Sequence, residues 1–352
     1  MKAVMYVSFL VGAGASIKAI NGLGNFEIEI TEIIRDYQAE PSREKLNRIS
    51  EKLNEFIRKS VTPNKILFQK NLSKFEKTRE TLGEYKQFLK LIYNLILLRA
   101  SDKLPKKINI FTTNYDLFFK TALEELRLNY NDGGNGNLKR YFESKNFQKR
   151  ITLMSDSYSY EYESPIFNIV KIHGSVNWFL DRENIIITNN LSIPIINNSD
   201  INSNGFLKEN TNVPIILPTK QKFVRTLMEH IYYDLSRFFA NELERKNSIL
   251  ICFGFSFADE HIRSMTLRAL GNPSLTIYCF PFSYADEQSI LQYFDGHENF
   301  KVVRIHNSST ISHEGNFVYA NKTLTAEGRI NCDFKNFINI FEHIYIQVAG
   351  GE

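Results

Sequence analysis

The run VMYVSFLVGAGAS at residues 4–16 decides the fold, because it joins a β-rich apolar stretch to a glycine turn. Valine, tyrosine and phenylalanine favour a strand, and Gly12 and Gly14 end it with a tight turn. The same run also mimics a secretory signal, with Lys2 at its start and small residues at 13 and 15. We favour the strand, because the widely separated cysteines form no disulfide framework.

Composition narrows the class of protein. The chain has 352 residues, of which 43% are hydrophobic, enough for a large folded core. Basic residues outnumber acidic ones by only 43 to 39 and are spread along the chain, so nucleic acid is not the expected direct partner. No apolar run is long enough to span a membrane. The three cysteines, Cys252, Cys279 and Cys332, lack metal-ligand spacing and are typical of buried thiols in a cytoplasmic protein.

Five later segments repeat the pattern of a short β-rich run followed by a break or a helix. Their nearly continuous apolar character predicts strands buried on both faces, and the intervening helical stretches predict parallel pairing. With residues 4–11 they predict an α/β, Rossmann-like parallel six-stranded sheet flanked by helices. The five segments are 107–116, 166–175, 248–257, 275–283 and 300–308.

About ninety residues separate the first two predicted strands, far more than one crossover helix requires. Apolar residues at helical spacing predict helices over 41–59 and 84–100. We therefore expect a single domain over 1–352 with a helical insertion at about 26–105. Residues 184–212 are dense in asparagine and serine and predict a hairpin with a loose loop.

Polar residues or glycines follow four of the predicted strands at their carboxyl ends, where ligands bind in open α/β sheets. A glycine turn by itself is as often a structural turn as a phosphate-binding one, and a lone histidine is more often structural than catalytic. Asn114 by itself fits an Asx turn. Four such ends in one sheet favour a ligand site. They comprise Gly12 and Gly14; Thr112, Thr113, Asn114 and Asp116; His173 and Gly174; and Gly254 and Ser256.

The motifs GAGAS, TTNYD, KIHGSVNW and GFSFADEHI, in that order, resemble the sirtuin-like NAD-consuming fold, and in particular the bacterial sirtuin-like NAD hydrolases of anti-phage defence. The resemblance implies that NAD is the substrate and that it is cleaved to nicotinamide and ADP-ribose. It implies catalytic roles for Asn114 and Asp116 at the nicotinamide ribose and its attacking water, and for His173 as general base. The implied NAD-binding residues are Gly12, Ala13, Gly14, Ser16, Thr113, Gly254 and Ser256.

This sequence departs in two places from the protein deacylases of the family. Both differences favour water, and not an acyl-lysine, as the molecule that reacts with the ribose of NAD. Residues 174–251 contain no cysteine, so the four-cysteine zinc module is missing and no zinc is expected. The stretch VPIILPTKQKF at 213–223 stands where deacylases carry an acidic peptide-contact motif. A deacylase or an ADP-ribosyltransferase remains an alternative, as does a non-enzymatic module that senses NAD or ADP-ribose for a nucleic-acid motor.

Constitutive destruction of NAD would kill the host, so the resemblance implies that activity is gated. In relatives of this size the sirtuin-like chain often works with a separate HerA-type hexameric ATPase, in large assemblies. We therefore expect such an ATPase as partner, a homo-oligomer, and contact with nucleic acid only through the partner.

Overall fold

The computed structural model describes residues 6–20, 26–67, 75–98, 104–154, 161–181, 184–189, 191, 193–208, 226–306, 317–319 and 329–349. The helices in this part of the chain are α1 (Phe26–Ala39), α2 (Arg43–Leu67), α3 (Glu76–Leu97), α4 (Phe118–Leu126), α5 (Thr226–Glu244), α6 (Glu260–Ala269), α7 (Tyr284–Tyr293) and α8 (Phe334–Ala349). The strands of the central sheet are β1 (Tyr6–Val11), β2 (Lys107–Thr112), β3 (Tyr130–Asn131), β8 (Ile166–Lys171), β11 (Ser248–Phe253), β12 (Thr276–Phe280), β13 (Phe300–His306), β14 (Phe317–Tyr319) and β15 (Arg329–Ile330). The remaining strands are β4 (Gly134–Asn135), β5 (Arg140–Phe142), β6 (Ile151–Met154), β7 (Glu161–Ser164), β9 (Trp178–Asp181) and β10 (Asn184–Ile187).

The central sheet has seven parallel strands in the order β13-β12-β11-β1-β2-β8-β3. All six predicted strands are present and are consecutive neighbours, so the predicted α/β fold is confirmed. The sheet is larger than predicted, because the short strand β3 extends one edge while β14 and β15 pair antiparallel with β13 at the other. The strand interpretation of the opening run is confirmed by β1, which pairs on both sides.

Alternate side chains of each central strand enter two different apolar layers. Phe9 and Ile110 point into a layer built with α1 to α4 and α8, whereas Leu10 and Phe111 point into a layer built with α5 to α7. Both faces of the sheet are covered by helices, so neither face of the strands is exposed to solvent. This explains the continuous apolar runs in the sequence.

The helices between β1 and β2 belong to the first of these layers. The predicted helix over 41–59 is α2, and the one over 84–100 is α3; both are longer than the periodicity indicated. In α2 the chain continues through Pro63 because Val61 and Leu67 beyond the predicted end are buried in the core. Packing here outweighs the cost of a proline inside a helix.

Two smaller antiparallel sheets lie outside the central one. The first has the order β4-β5-β10-β9, and the second pairs β6 with β7. Within the stretch 184–212, where the sequence predicts a hairpin, β10 pairs antiparallel with β9, a strand that ends at Asp181, before the predicted stretch begins. Part of that stretch lies outside the described residues, and the division of the chain into one domain with insertions stays a prediction.

Candidate functional site

The four predicted motifs follow adjacent strands of the central sheet, at the end where the carboxyl ends of the parallel strands lie. β8, β2, β1 and β11 are parallel neighbours, so their carboxyl ends lie side by side. The loops after them hold His173, Asn114, Gly12 and Gly254. The chain runs outward from β1 through β2 and β8 and then returns to β11 on the other side of β1. Open α/β sheets bind ligands where the strand order reverses in this way.

The glycines of the first and fourth loops are required by their contact with each other. The amide of Gly12 donates to the carbonyl of Phe253, and that of Gly14 donates to the carbonyl of Gly254, both at 3.0 Å. A Cβ atom at Gly12 would lie 2.3 Å from the carbonyl oxygen of Gly254, and one at Gly14 would lie 2.6 Å from its Cα atom. Gly254 also has φ +63°, a conformation that favours glycine.

Most amides of the glycine turn are already engaged within the protein. Besides Gly12 and Gly14, the amides of Ala15 and Ser16 donate to the carbonyls of Gly12 and Ala13 at 3.2 and 3.1 Å. Ala13 itself is exposed at the rim of the turn. These amides could therefore donate to a pyrophosphate only through bifurcated hydrogen bonds. The predicted phosphate contacts stay a prediction.

Asn114 joins the loop after β2 to the glycine turn. Its Nδ2 atom donates to the carbonyl oxygen of Gly12 at 2.9 Å, and its backbone amide donates to Oγ1 of Thr112 at 3.1 Å. The residue is 9% exposed. One of the two amide protons is thus fixed by the turn, which orients the whole carboxamide group.

Asp116 lies beneath the same loop in a chain of hydrogen bonds. Ser16 donates from its hydroxyl to Oδ2 of Asp116 at 2.7 Å, and the hydroxyl of Tyr85 lies 2.7 Å from the same Ser16 oxygen. Oδ1 of Asp116 accepts from the amide of Phe118 at 3.2 Å. Asp116 and Ser16 are 4% and 3% exposed. The structure therefore brings these two predicted site residues into direct contact, but below the surface.

Lys171, at the end of β8, stabilises the carbonyl groups of the loop after β2. Its Nζ atom donates to the carbonyl oxygens of Asn114, at 3.0 Å, and of Asp116. The Asp116 carboxylate is 4.0 Å from the same nitrogen. Burial lowers the pKa of Lys171 to about 8, with Asp116 opposing that shift and Lys120 adding to it. The ammonium group is held among backbone dipoles without a tight ion pair.

His173 faces the start of α6. Its Nε2 atom is 3.3 Å from Oδ2 of Asp259, without the alignment of a hydrogen bond. The other carboxylate oxygen of Asp259 caps α6 by accepting from the amides of His261 and Ile262 at 3.0 and 3.1 Å. The ring of Tyr232 lies 6.2 Å from that of His173, centroid to centroid. Within the described part of the chain, the buried Nε2 atom has no hydrogen-bond partner, as expected of a group that binds a ligand.

The other predicted residues, Thr113 and Ser256, also lie beyond the carboxyl ends of the strands. Thr113 is half-buried, and Ser256 is exposed, with its hydroxyl 3.4 Å from the amide of Ala258. Their contact with NAD stays a prediction. The stretch at 213–223 lies outside the described residues.

Sequence reasoning did not assign Tyr85, Lys171 or Asp259 to the site. Tyr85 lies in the middle of a helix whose apolar periodicity marks it as core, and no pattern distinguishes its hydroxyl. Lys171 and Asp259 lie inside two of the quoted motifs, so their position beside His173 and at the start of a helix was a usable indication.

Metal and membrane roles receive no support from the described residues. Among them, no group of three or more histidine, cysteine or acidic side chains is arranged to hold a metal ion. No helix in the described ranges is long and apolar enough to cross a membrane. The prediction of buried thiols is confirmed: Cys252, Cys279 and Cys332 are buried, and burial raises the pKa of the first two.

Comparison with known proteins identifies one family. A family model described as the SIR2-like domain matches residues 108–292, which is more than half of the chain. No curated protein matches the sequence. The match includes the motifs at 112–116, 171–178 and 254–262, whereas the glycine turn precedes it. A SIR2-like domain indicates an NAD-utilising enzyme.

Proposed function

The chain belongs to the SIR2-like domain family, and we propose that it hydrolyses NAD to nicotinamide and ADP-ribose. The observation that carries this proposal is the placement of Asn114 and His173 at the carboxyl ends of the adjacent strands β2 and β8, with Asn114 hydrogen-bonded to the glycine turn. A carboxamide and an imidazole at a strand-order reversal are the groups needed to orient a water molecule and to accept its proton.

The proposed reaction needs no acid for the leaving group. The bond between the ribose C1′ and the pyridinium nitrogen breaks with its electron pair, so nicotinamide leaves as a neutral molecule. The ribose carbon acquires oxocarbenium-like character and forms a new bond to the oxygen of water. The proton lost by that water passes to the His173 imidazole and then to solvent. The products are nicotinamide, ADP-ribose and one proton.

The residues of the site fit these tasks. Asn114 is already oriented by its bond to the Gly12 carbonyl, so it can hold a water without reorganising. His173 has a buried nitrogen available for hydrogen bonding and a carboxylate 3.3 Å away that favours the imidazolium formed after proton transfer. The buried carboxylate of Asp116 places negative charge beneath the loop where positive charge develops on the ribose.

We further propose that the reaction serves anti-phage defence by depleting NAD in the cytoplasm. Support for this comes from the resemblance of the four sequence motifs to those of bacterial defence hydrolases. On the same ground we propose gating by a homo-oligomeric assembly with a HerA-type hexameric ATPase.

The test is to incubate the purified protein with NAD, alone and with its candidate ATPase partner, and to follow nicotinamide and ADP-ribose by chromatography. We expect Asn114→Ala and His173→Ala each to lower turnover at least about a hundredfold, because each removes a group that acts on the water. Asn137→Ala and His343→Ala are matched controls at exposed positions and should leave turnover unchanged.

Other outcomes separate the alternatives. Turnover that survives both site variants would contradict the assignment of the residues. Nicotinamide released only when an acyl-peptide or an acceptor protein is added would favour a deacylase or a transferase. Tight NAD binding without turnover under any condition would favour the sensing module.

A further inference from the structure

We propose that Tyr85, in the helix α3 that precedes β2, is a positioning residue for the reaction. This inference rests on the proposed NAD hydrolysis and adds a residue from outside the four sequence motifs and outside the matched family region. It starts from one contact, the 2.7 Å distance between the hydroxyl oxygens of Tyr85 and Ser16.

The direction of that hydrogen bond follows from the number of protons available. The Asp116 carboxylate only accepts, so the single hydroxyl proton of Ser16 goes to Asp116. The Ser16 oxygen must then accept from Tyr85. Burial and the nearby Asp116 charge raise the pKa of Tyr85 well above its usual range, so its hydroxyl stays protonated as the donor. The chain therefore runs from Tyr85 through Ser16 to Asp116.

The tyrosine ring is held so that its hydroxyl has one direction. Tyr85 is fully buried. Its ring is stacked on Phe118 at 5.3 Å between centroids, and meets Phe119 and Phe334 edge to face at 4.7 and 5.0 Å. Removing the hydroxyl alone would leave these apolar contacts in place, because they involve only the ring.

The helices between β1 and β2 also hold both site loops at neighbouring points. Glu84, next to Tyr85, accepts from Lys18 at 2.5 Å, two residues beyond Ser16. On α2, the buried Asn64 accepts from the amide of Leu117 at 2.8 Å, one residue beyond Asp116. The loop after β1 and the loop after β2 are thus each attached to this helical region.

Asn114, the residue proposed to orient the water, contacts both the glycine turn and Ser16 of this hydrogen-bond chain. Its Nδ2 atom donates to Gly12 and lies 3.5 Å from the Ser16 hydroxyl oxygen. The bond from Ser16 to Asp116 joins the glycine turn to the loop that carries Asn114. Without the proton from Tyr85, the Ser16 oxygen keeps only the longer 3.5 Å contact with the Asn114 amide as a donor, and the hydrogen bond from Ser16 to Asp116 that holds the two loops together is less constrained.

The experiment is a double-mutant cycle in NAD turnover with Tyr85→Phe, Ser16→Ala and the double variant. We expect Tyr85→Phe to lower kcat about tenfold, since one hydrogen bond in a charged network is lost, and to change KM for NAD less than about twofold. In the Ser16→Ala background the same change should have almost no further effect, because both substitutions break one chain.

Tyr130→Phe is the matched control. It removes a hydroxyl that donates to Glu124 at 2.6 Å, away from the site, and should leave kcat unchanged. The thermal unfolding midpoints of the two tyrosine variants should be similar. If Tyr85→Phe is too unstable to assay, Ser16→Ala tests the same bond from its other side and should lower kcat at least about tenfold.

The outcomes distinguish this inference from the proposed function. Turnover by the wild type with an unchanged kcat in Tyr85→Phe, or effects that multiply in the double variant, would overturn the role of Tyr85 alone. A wild type that releases no nicotinamide under any condition would overturn the hydrolase, and the role of Tyr85 with it.

Discussion

Two aspartates are buried at similar depth, Asp116 in the loop after β2 and Asp132 in the loop after β3, and their surroundings differ. Asp132 has Lys120 at 2.9 Å from one oxygen and Arg140 at 2.6 Å from the other. These cations hold the pKa of Asp132 at about 2 against the opposing effect of burial. Asp116 accepts from a neutral hydroxyl at 2.7 Å, and its nearest ammonium group is 4.0 Å away.

Under the proposed function, this difference separates a structural carboxylate, Asp132, from a carboxylate that takes part in the reaction, Asp116. The charge of Asp132 is cancelled by two cations in close contact, so little of its field reaches beyond them. The charge of Asp116 is stabilised mainly by neutral hydrogen bonds, which leave its field acting on the neighbouring loop. Burial alone therefore does not distinguish these two carboxylates. The charge of their hydrogen-bond partners does.

The largest expected effect is on turnover. Asp116→Asn should lower kcat for NAD about a thousandfold, because it removes the buried negative charge while nearly keeping the size and shape of the side chain. Steady-state kinetics of nicotinamide release give this value. Asp132→Asn is the matched control, and equal losses in the two variants would break the comparison.

The next effect is on stability. Asp132→Asn should lower the free energy of unfolding by about 3 kcal/mol, since it leaves the buried Lys120 without its counter-ion. Turnover by the folded fraction should stay within about twofold of the wild type. Urea unfolding at neutral pH measures the loss, and a change below about 0.5 kcal/mol would mean that the ion pairs contribute little.

The stability difference between the wild type and Asp132→Asn should also depend on pH. The folded-state pKa of Asp132 is about 2, below its usual 3.8, so its stabilisation is complete above pH 3.8 and is lost as the pH falls toward 2. The two pKa values correspond to about 2 kcal/mol. The gap in unfolding free energy between wild type and Asp132→Asn should therefore narrow across that interval, and a constant gap would assign the stabilisation to packing.

The smallest effect concerns a third carboxylate, Asp259, which faces His173. Asp259→Asn keeps an oxygen to cap α6 and removes only the negative charge, so the unfolding midpoint should hardly change. Turnover should fall about fivefold, because the imidazolium loses its neighbouring charge. Asp286→Asn, at the start of α7, is the matched control near a helix end. Unchanged kinetics in Asp259→Asn would reduce that residue to a cap.

Local patterns in the sequence predicted the sheet well, because apolar runs and turn residues are recorded within a few positions of one another. They placed Asn114 and His173 at the carboxyl ends of two strands of one sheet, and the structure shows that these strands are neighbours. The sequence did not reveal Tyr85, because its partner Ser16 is 69 positions away and the helix that carries Tyr85 has the apolar periodicity of ordinary core. Contacts between distant, neutral side chains leave no periodicity to detect.

The backbone contact between the loops of Gly12 and Gly254 has a consequence for synthesis of the protein. Gly254 leaves the ribosome about 240 residues after Gly12, and β11, the strand that carries it, must insert beside a β1 made much earlier. Closure of such a long loop is a late step in folding. A growing chain therefore holds an incomplete site during most of its translation. Under the proposed function, the NAD of the cell is safe from each new molecule until that strand is in place.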